Sequence, residues 1–176
     1  MKHWLFKYRI PILFLSAHLV YIVMNIIGPL VTEGVTLDIF DLRMLGGYDL
    51  AYVDQFNQEL SDQGRMIYLF VQLPLDFIYP LLTSLFFYSY FRQEFRVKKF
   101  AAIGFLSMTF DYIENIFVIF FLTSDHLSSV FVMIGSISTI LKGIFYLFNY
   151  GLSLFFLSRC IVKRIIKKLA EPDRFR

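Results

Sequence analysis

Four runs of the chain are apolar for about 20 residues or more, the length a helix needs to cross a hydrocarbon layer. They cover residues 10–31, 67–91, 100–122 and 130–158. Such runs leave few alternatives. An isolated apolar helix hides every backbone polar group within itself, which water-free surroundings demand. The expected fold is all-α: a bundle of four transmembrane helices in one integral membrane domain, 1–176. A loop of about 35 residues, 32–66, joins the first two helices, and a tail, 159–176, ends the chain. The composition agrees, with 57% hydrophobic residues, 22 Phe and only 18% charged residues, far from that of a soluble domain. The only cysteine, Cys160, rules out an internal disulfide and chemistry through a Cys-x-x-Cys pair.

The basic residues set an orientation. Lys2, Lys7 and Arg9 precede the first run, and Arg92, Arg96, Lys98 and Lys99 join the second to the third. Arg159, Lys163, Arg164, Lys167, Lys168, Arg174 and Arg176 follow the fourth. All these fall on one side of a four-helix bundle, against Arg43 and Arg65 on the other. The positive-inside rule then places both termini in the cytoplasm of a bacterial inner-membrane protein and loop 32–66 outside. The +3 net charge is juxtamembrane and does not point to nucleic acid. The first run has the basic start of a secretory signal, but its apolar stretch continues to Val31 without a clear small-x-small cleavage site, so it reads as a retained helix.

The informative residues are the ones that do not belong in such runs. Asp111-Tyr-Ile-Glu-Asn115 sits in the middle of the third run, Asp76 in the middle of the second and Lys142 twelve residues into the fourth. Each charge at a helix centre costs about 2.5–3.5 kcal/mol on insertion scales, so Asp76, Asp111, Glu114 and Lys142 must face inward and meet. Lys142 neutralises one acid. The rest require protons, a cation or water. Tyr79 lies one turn from Asp76, Tyr146 one turn from Lys142, and Asn115 beside Glu114, where they could orient a ligand. His18, Tyr21 and Asn25 share a face of the first helix, where they either bond a neighbouring helix or line the same site. Pro74 and Pro80 bracket Asp76, and each frees a backbone carbonyl that needs another partner. Asp76-Phe-Ile-Tyr and Asp111-Tyr-Ile-Glu resemble each other, but over too few positions to establish a repeat.

The loop holds seven acids, Glu33, Asp38, Asp41, Asp49, Asp54, Glu59 and Asp62, which read as a solvated surface. Within it, 36–44 reads as extended, Gly46-Gly47 as a turn and 50–63 as a surface helix capped by Asp49. After Gly28-Pro29, which breaks the first helix, the chain enters this loop. Ser136, Ser138 and Gly143 allow close approach to the fourth helix. The tail, with Ile161, Val162, Ile165, Ile166 and Leu169 among its basic residues, reads as an amphipathic helix on the inner leaflet.

Several chemistries are set aside. A transverse haem needs paired histidines, and His18 is alone in the apolar runs. No Gly-rich phosphate loop, His-Glu-x-x-His helix or Gly-x-Ser-x-Gly elbow occurs. A metal on Asp76, Asp111, Glu114 and Asn115 would be opposed by Lys142, so no metal ligand and no cofactor is assigned.

Gly47-Tyr48, Gly64-Arg65 with Tyr68, Leu73-Pro74-Leu75-Asp76 with Tyr79-Pro80, Asp111 with Glu114-Asn115, and Lys142 resemble the pattern of an uncharacterised group of small bacterial four-helix membrane proteins. The match spans roughly 40–150 and implies no activity. A looser, fold-level likeness is to the EXPERA (emopamil-binding) group, which is similar in having membrane helices with buried acids around a lipid-facing cavity.

Three functions follow from these residues. One is a midplane pocket that binds, or chemically processes, a small amphiphile, with Asp76, Asp111, Glu114, Asn115, Lys142, Tyr79 and Tyr146 as ligand or proton sites. A second is proton- or cation-coupled transport, which in four helices calls for a homo-oligomer. A third is a non-catalytic subunit whose outer loop binds a membrane partner.

Overall fold

The structure is a computed structural model that describes residues 2–124 and 126–170, with side chains for 8–124 and 126–167. It is helical, with no strand among the described residues. The elements are α1 (Lys2–Val31), a 3-10 turn (Phe40–Arg43), α2 (Leu50–Glu59), α3 (Asp62–Ile67), a π turn (Tyr68–Gln72) and α4 (Leu73–Glu94). A second 3-10 stretch (Lys98–Phe105), α5 (Leu106–Thr123) and α6 (Ser129–Ala170) complete the chain. Four helical spans, Tyr8–Val31, Asp62–Glu94, Lys98–Thr123 and Ser129–Lys167, are long and apolar enough to cross a membrane. Their outward faces carry side chains such as Leu19, Ile26, Ile116, Ile144 and Leu154.

Several boundaries differ from the sequence expectations. Helix α1 continues through Gly28-Pro29 to Val31. A proline in the last turn removes only an N–H, and the Gly28 carbonyl still accepts from the Thr32 amide. The stretch expected to be extended folds at Phe40–Arg43 into a 3-10 turn. The surface helix ends at Glu59 rather than 63, because Ser61 caps a new helix by accepting the Gly64 amide. The second span therefore begins at Asp62, five residues earlier than expected. The chain beyond 158 is not a separate surface helix, since α6 runs unbroken to Ala170. Residues 171–176, the rest of the expected tail, lie outside the described residues.

The prolines of the second span act as the sequence suggests. Pro74 cannot donate to residue 70, and the helix widens just before it into the π turn, where the Leu73 amide reaches Tyr68 O. Pro80 leaves the Asp76 carbonyl without its helical donor. Asn115 Nδ2 donates to that oxygen at 3.1 Å from α5, and Tyr112 Oη donates to Phe77 O at 2.9 Å. The broken backbone bond at Asp76 thus becomes one cross-link between α4 and α5, and the Phe77 carbonyl supplies a second.

Packing is layered along the bundle. At the loop end, Phe40, Val53, Phe56, Tyr68, Phe121 and Val132 form one apolar cluster. At the other end Phe87, Phe91, Ala101, Tyr146 and Phe156 form a second. Between them lies a buried polar layer of Gln72, Asp76, Ser107, Asp111, Glu114, Asn115, Thr139, Lys142 and Asn149. The loop is part of this architecture rather than a solvated surface. Phe40 is fully buried among the rings of Tyr48, Phe56 and Phe121. Asn57 Nδ2 donates to Phe121 O at 2.8 Å and Arg65 Nη1 donates to Leu122 O, so both cap the last turn of α5.

Small residues of α6 admit the loop. Ser136 Oγ accepts the Tyr48 amide at 2.8 Å. A Cβ at Gly143 would lie 2.7 Å from Met44 Cβ, so glycine there lets the loop backbone descend toward the middle of α6. Gly47 turns the chain with φ +64, and a Cβ on it would strike Ser136 Oγ.

Two outcomes are expected. Phe40→Ala should lower stability by about 3–5 kcal/mol, the range for truncating a buried aromatic, measured by thermal unfolding in mild detergent. Glu59 bonds Gln55 Nε2 and both the amide and hydroxyl of Thr36, which hold its carboxyl below its ordinary 4.5. A depressed folded-state pKa stabilises above the unfolded value, and the effect is lost as pH falls. The stability advantage of wild type over Glu59→Gln should therefore be full above pH 4.5 and shrink on acidification below it.

Candidate functional site

Lys142 lies at the centre of the polar layer with its side chain 3% exposed. Its ammonium pairs with Asp41 and Glu114 and stands 3.8 Å from Asp111 Oδ1. A 3.6-residue period puts Ser107, Asp111, Glu114 and Asn115 on the buried face of α5. Thr139, one turn before Lys142, donates to Glu114 Oε1 at 2.6 Å. Tyr146, one turn after it, donates to Asp111 Oδ2 at 2.9 Å. Asn115 Nδ2 also lies 3.4 Å from Asp111 Oδ1. Tyr48 Oη stands 3.3 Å from Thr139 Oγ1, and burial, with Glu114 behind it, pushes this phenol well above its ordinary value. It therefore stays a neutral hydrogen-bonding group.

All seven residues expected at the site lie in or beside this layer, with two functions among them. Asp76, Asp111, Lys142, Tyr79 and Tyr146 line a cavity of about 570 Å³. Glu114 and Asn115 are not among its lining residues. They stand behind the wall and fix Lys142, Asp111 and the freed carbonyl of Asp76. Tyr79 packs its ring at a tilt 5.9 Å from Tyr146 and 5.7 Å from Tyr21, and its hydroxyl is 3.4 Å from that of Tyr150.

The open question about α1 is answered by its hydrogen bonds. His18 Nδ1 pairs with Phe14 O at 2.8 Å and Asn25 Nδ2 donates to Tyr21 O at 2.7 Å, both within α1. His18, Tyr21 and Asn25 line the cavity instead of bonding a neighbour. Among the described residues, helix α1 packs chiefly on α4, with smaller contacts to α3 and the π turn. The cavity thus reaches the side of the bundle between α1 and α6, where Tyr21 is 49% and Leu42 61% exposed.

Asp41 is the residue that sequence reasoning missed. It was placed among solvated loop acids, yet its side chain is only 16% exposed and meets Lys142. The signal lay in its neighbours: Leu37, Ile39, Phe40, Leu42, Met44 and Leu45 are too apolar for a solvated loop. Gln72, whose spacing already sets it on one helical face with Asp76 and Tyr79, is buried and lines the same cavity. With Asp41 counted, four carboxyls surround one ammonium, formally −3 when all are ionised. Asp76 Oδ2 and Gln72 Oε1 are buried without a hydrogen-bond partner, and such groups are costly unless something bonds them. The arrangement can hold a proton, a hydrogen-bond donor or a positive charge at the floor of the cavity.

No family model, no curated protein and no solved structure matches this chain.

Removing Lys142 strands the acids around it, so Lys142→Met should cost about 3–5 kcal/mol. Asp41→Asn leaves Lys142 paired to Glu114 and should cost less. The double variant should lose less than the sum of the two, as expected for groups in direct contact. Melting of the purified variants in one detergent checks all three.

Proposed function

We propose that this chain is a four-span protein of the bacterial inner membrane, with both termini cytoplasmic and the loop after α1 outside, that binds a small amphiphile at the bilayer midplane. The ligand's head would rest on Asp41, Asp76, Asp111 and Lys142, steadied by Tyr79 and Tyr146. Its apolar part would lie against Met24, Ile39 and Leu42 toward the gap between α1 and α6. The observation that carries this reading is the cavity itself. At about 570 Å³ it falls within the range of small-molecule sites, its floor is charged, and its side opening faces where lipid tails would be. The segregation of basic residues supports the orientation. Membership of the small bacterial four-helix group belongs to the same proposal, on the residues quoted for it.

Transport fits less well. The Phe87, Phe91 and Phe156 cluster fills the bundle on the terminal side of the polar layer, so no path to a second face is evident among the described residues. The partner-binding reading keeps one observation of its own. Leu45, at the loop tip, is 90% exposed, an apolar contact for a membrane partner or for the bilayer surface.

The test is a thermal-shift screen of purified protein with an alkyl alcohol, an alkyl amine, a lysophospholipid and an isoprenoid alcohol. Gly28 lines the cavity and has open space where a side chain would begin, so Gly28→Trp should fill the cavity without unfolding the protein. At least one amphiphile should raise the melting temperature of wild type and not of Gly28→Trp. No shift in wild type, or an equal shift in both, would overturn the proposal.

A further inference from the structure

Lys142 would oppose a cation if it stood unpaired beside Asp76 and Asp111. In the fold its charge is already shared by Asp41 from the loop and Glu114 from α5, with Asp111 Oδ1 3.8 Å away. On the cavity side, one carboxylate oxygen from each of Asp41, Asp76 and Asp111 comes within 4.8 Å of the others. These three residues arrive from three separate elements, the 3-10 turn, α4 and α5. Oxygens around one Ca²⁺ bind at about 2.3–2.6 Å, so ligands on opposite sides of such an ion lie about this far apart.

A second observation points the same way. Gln72, one helical turn from Asp76, is 2% exposed and lines the cavity, and its Oε1 has no hydrogen-bond partner. Asp76 Oδ2 is in the same condition. Two neighbouring buried acceptors with no donor in reach are the arrangement a cation completes. Charge adds to this. A divalent ion would bring the four carboxylates and Lys142 from −3 to −1, so Lys142 and the ion can coexist. Water could satisfy the acceptors but would leave the charge, which is costly at this depth.

We propose that Asp41, Asp76 and Asp111, with the Gln72 amide oxygen, form a binding site for a hard divalent cation of the Ca²⁺ or Mg²⁺ class. The oxygen-only donor set selects hard ions over zinc or copper. The site goes beyond the amphiphile reading and does not rest on it. Because Asp41 belongs to the loop, the ion would also tie the loop to α4 and α5. His18, on the α1 wall of the cavity, bonds its own helix and takes no part.

The test uses Mn²⁺ as a paramagnetic stand-in. Full-length protein in detergent is treated with chelator, exchanged into metal-free buffer and titrated with Mn²⁺ while the free-ion resonance signal is followed. Wild type should bind one Mn²⁺ per chain, with Ca²⁺ or Mg²⁺ competing. Affinity should fall about tenfold or more in Asp76→Asn and measurably in Gln72→Ala. Glu33→Gln, on the loop away from the cavity, should bind as wild type. Gln72→Ala keeps every charge in place and serves where Asp76→Asn does not fold. Absence of saturable Mn²⁺ binding in wild type overturns the site, as does unchanged affinity in both cavity variants. Repeating the amphiphile shift with and without chelator separates the two proposals: a shift in wild type in either condition upholds the amphiphile reading, whereas the cation site stands or falls on the Mn²⁺ titration alone.

Discussion

One buried ammonium organises this protein. Lys142 is the only basic side chain in the polar layer among the described residues, and the acids that meet it come from two elements, the loop and α5. A charge removed from water cannot be left alone: its desolvation cost exceeds most single packing terms and is offset only by close, well-aligned partners. The position of Lys142 therefore constrains the depth of Glu114 and Asp111 on α5 and the descent of the loop that carries Asp41. The small residues on α6, the buried Phe40 and the caps from Asn57 and Arg65 all serve that descent. The flanking aromatic clusters then bound the layer above and below.

The polar layer also shows how local breaks become long-range structure. Pro80 removes a backbone bond within α4, and Asn115 on α5 replaces it at the same carbonyl that belongs to Asp76. The residue that presents the unpartnered carboxyl to the cavity is thereby fixed through its own backbone. A helix with an alanine at position 80 would satisfy that carbonyl internally and leave Asn115 to find another acceptor. The prolines and the Asp-x-x-Glu-Asn pattern are thus parts of one arrangement, although they lie 35 residues apart.

Much of the site was legible because apolar surroundings make charge conspicuous. Asp76, Asp111, Glu114 and Lys142 stand out in runs where almost every neighbour is apolar, and a common depth follows from counting residues at 1.5 Å each. Asp41 was hidden for the opposite reason. Acids in a loop between apolar runs are ordinarily solvated, and nothing in their spacing separates Asp41 from Asp38 or Asp49. Only the fold, by burying Phe40, shows which of them turns inward. The division of labour between Asp111, which faces the cavity, and Glu114, which faces away from it, was equally out of reach. One hundred degrees of helical rotation per residue places both on the inner face, and the cavity wall runs between them. The early start of the second span escaped because Asp62, Gln63 and Arg65 are polar, and hydropathy alone cannot tell a capped first turn from a loop.

The separation of Asp41 from Lys142 along the chain, 101 residues, has a consequence for biogenesis. A ribosome delivers Asp41 long before its partner in α6 exists. Glu114 and Thr139 are near enough in sequence to meet Lys142 within the α5–α6 hairpin, so that pair can form with the ammonium already neutralised. The loop can then dock only onto a finished bundle. A chain halted before α6 would hold the acids of α4 and α5 without the counter-charge of Lys142.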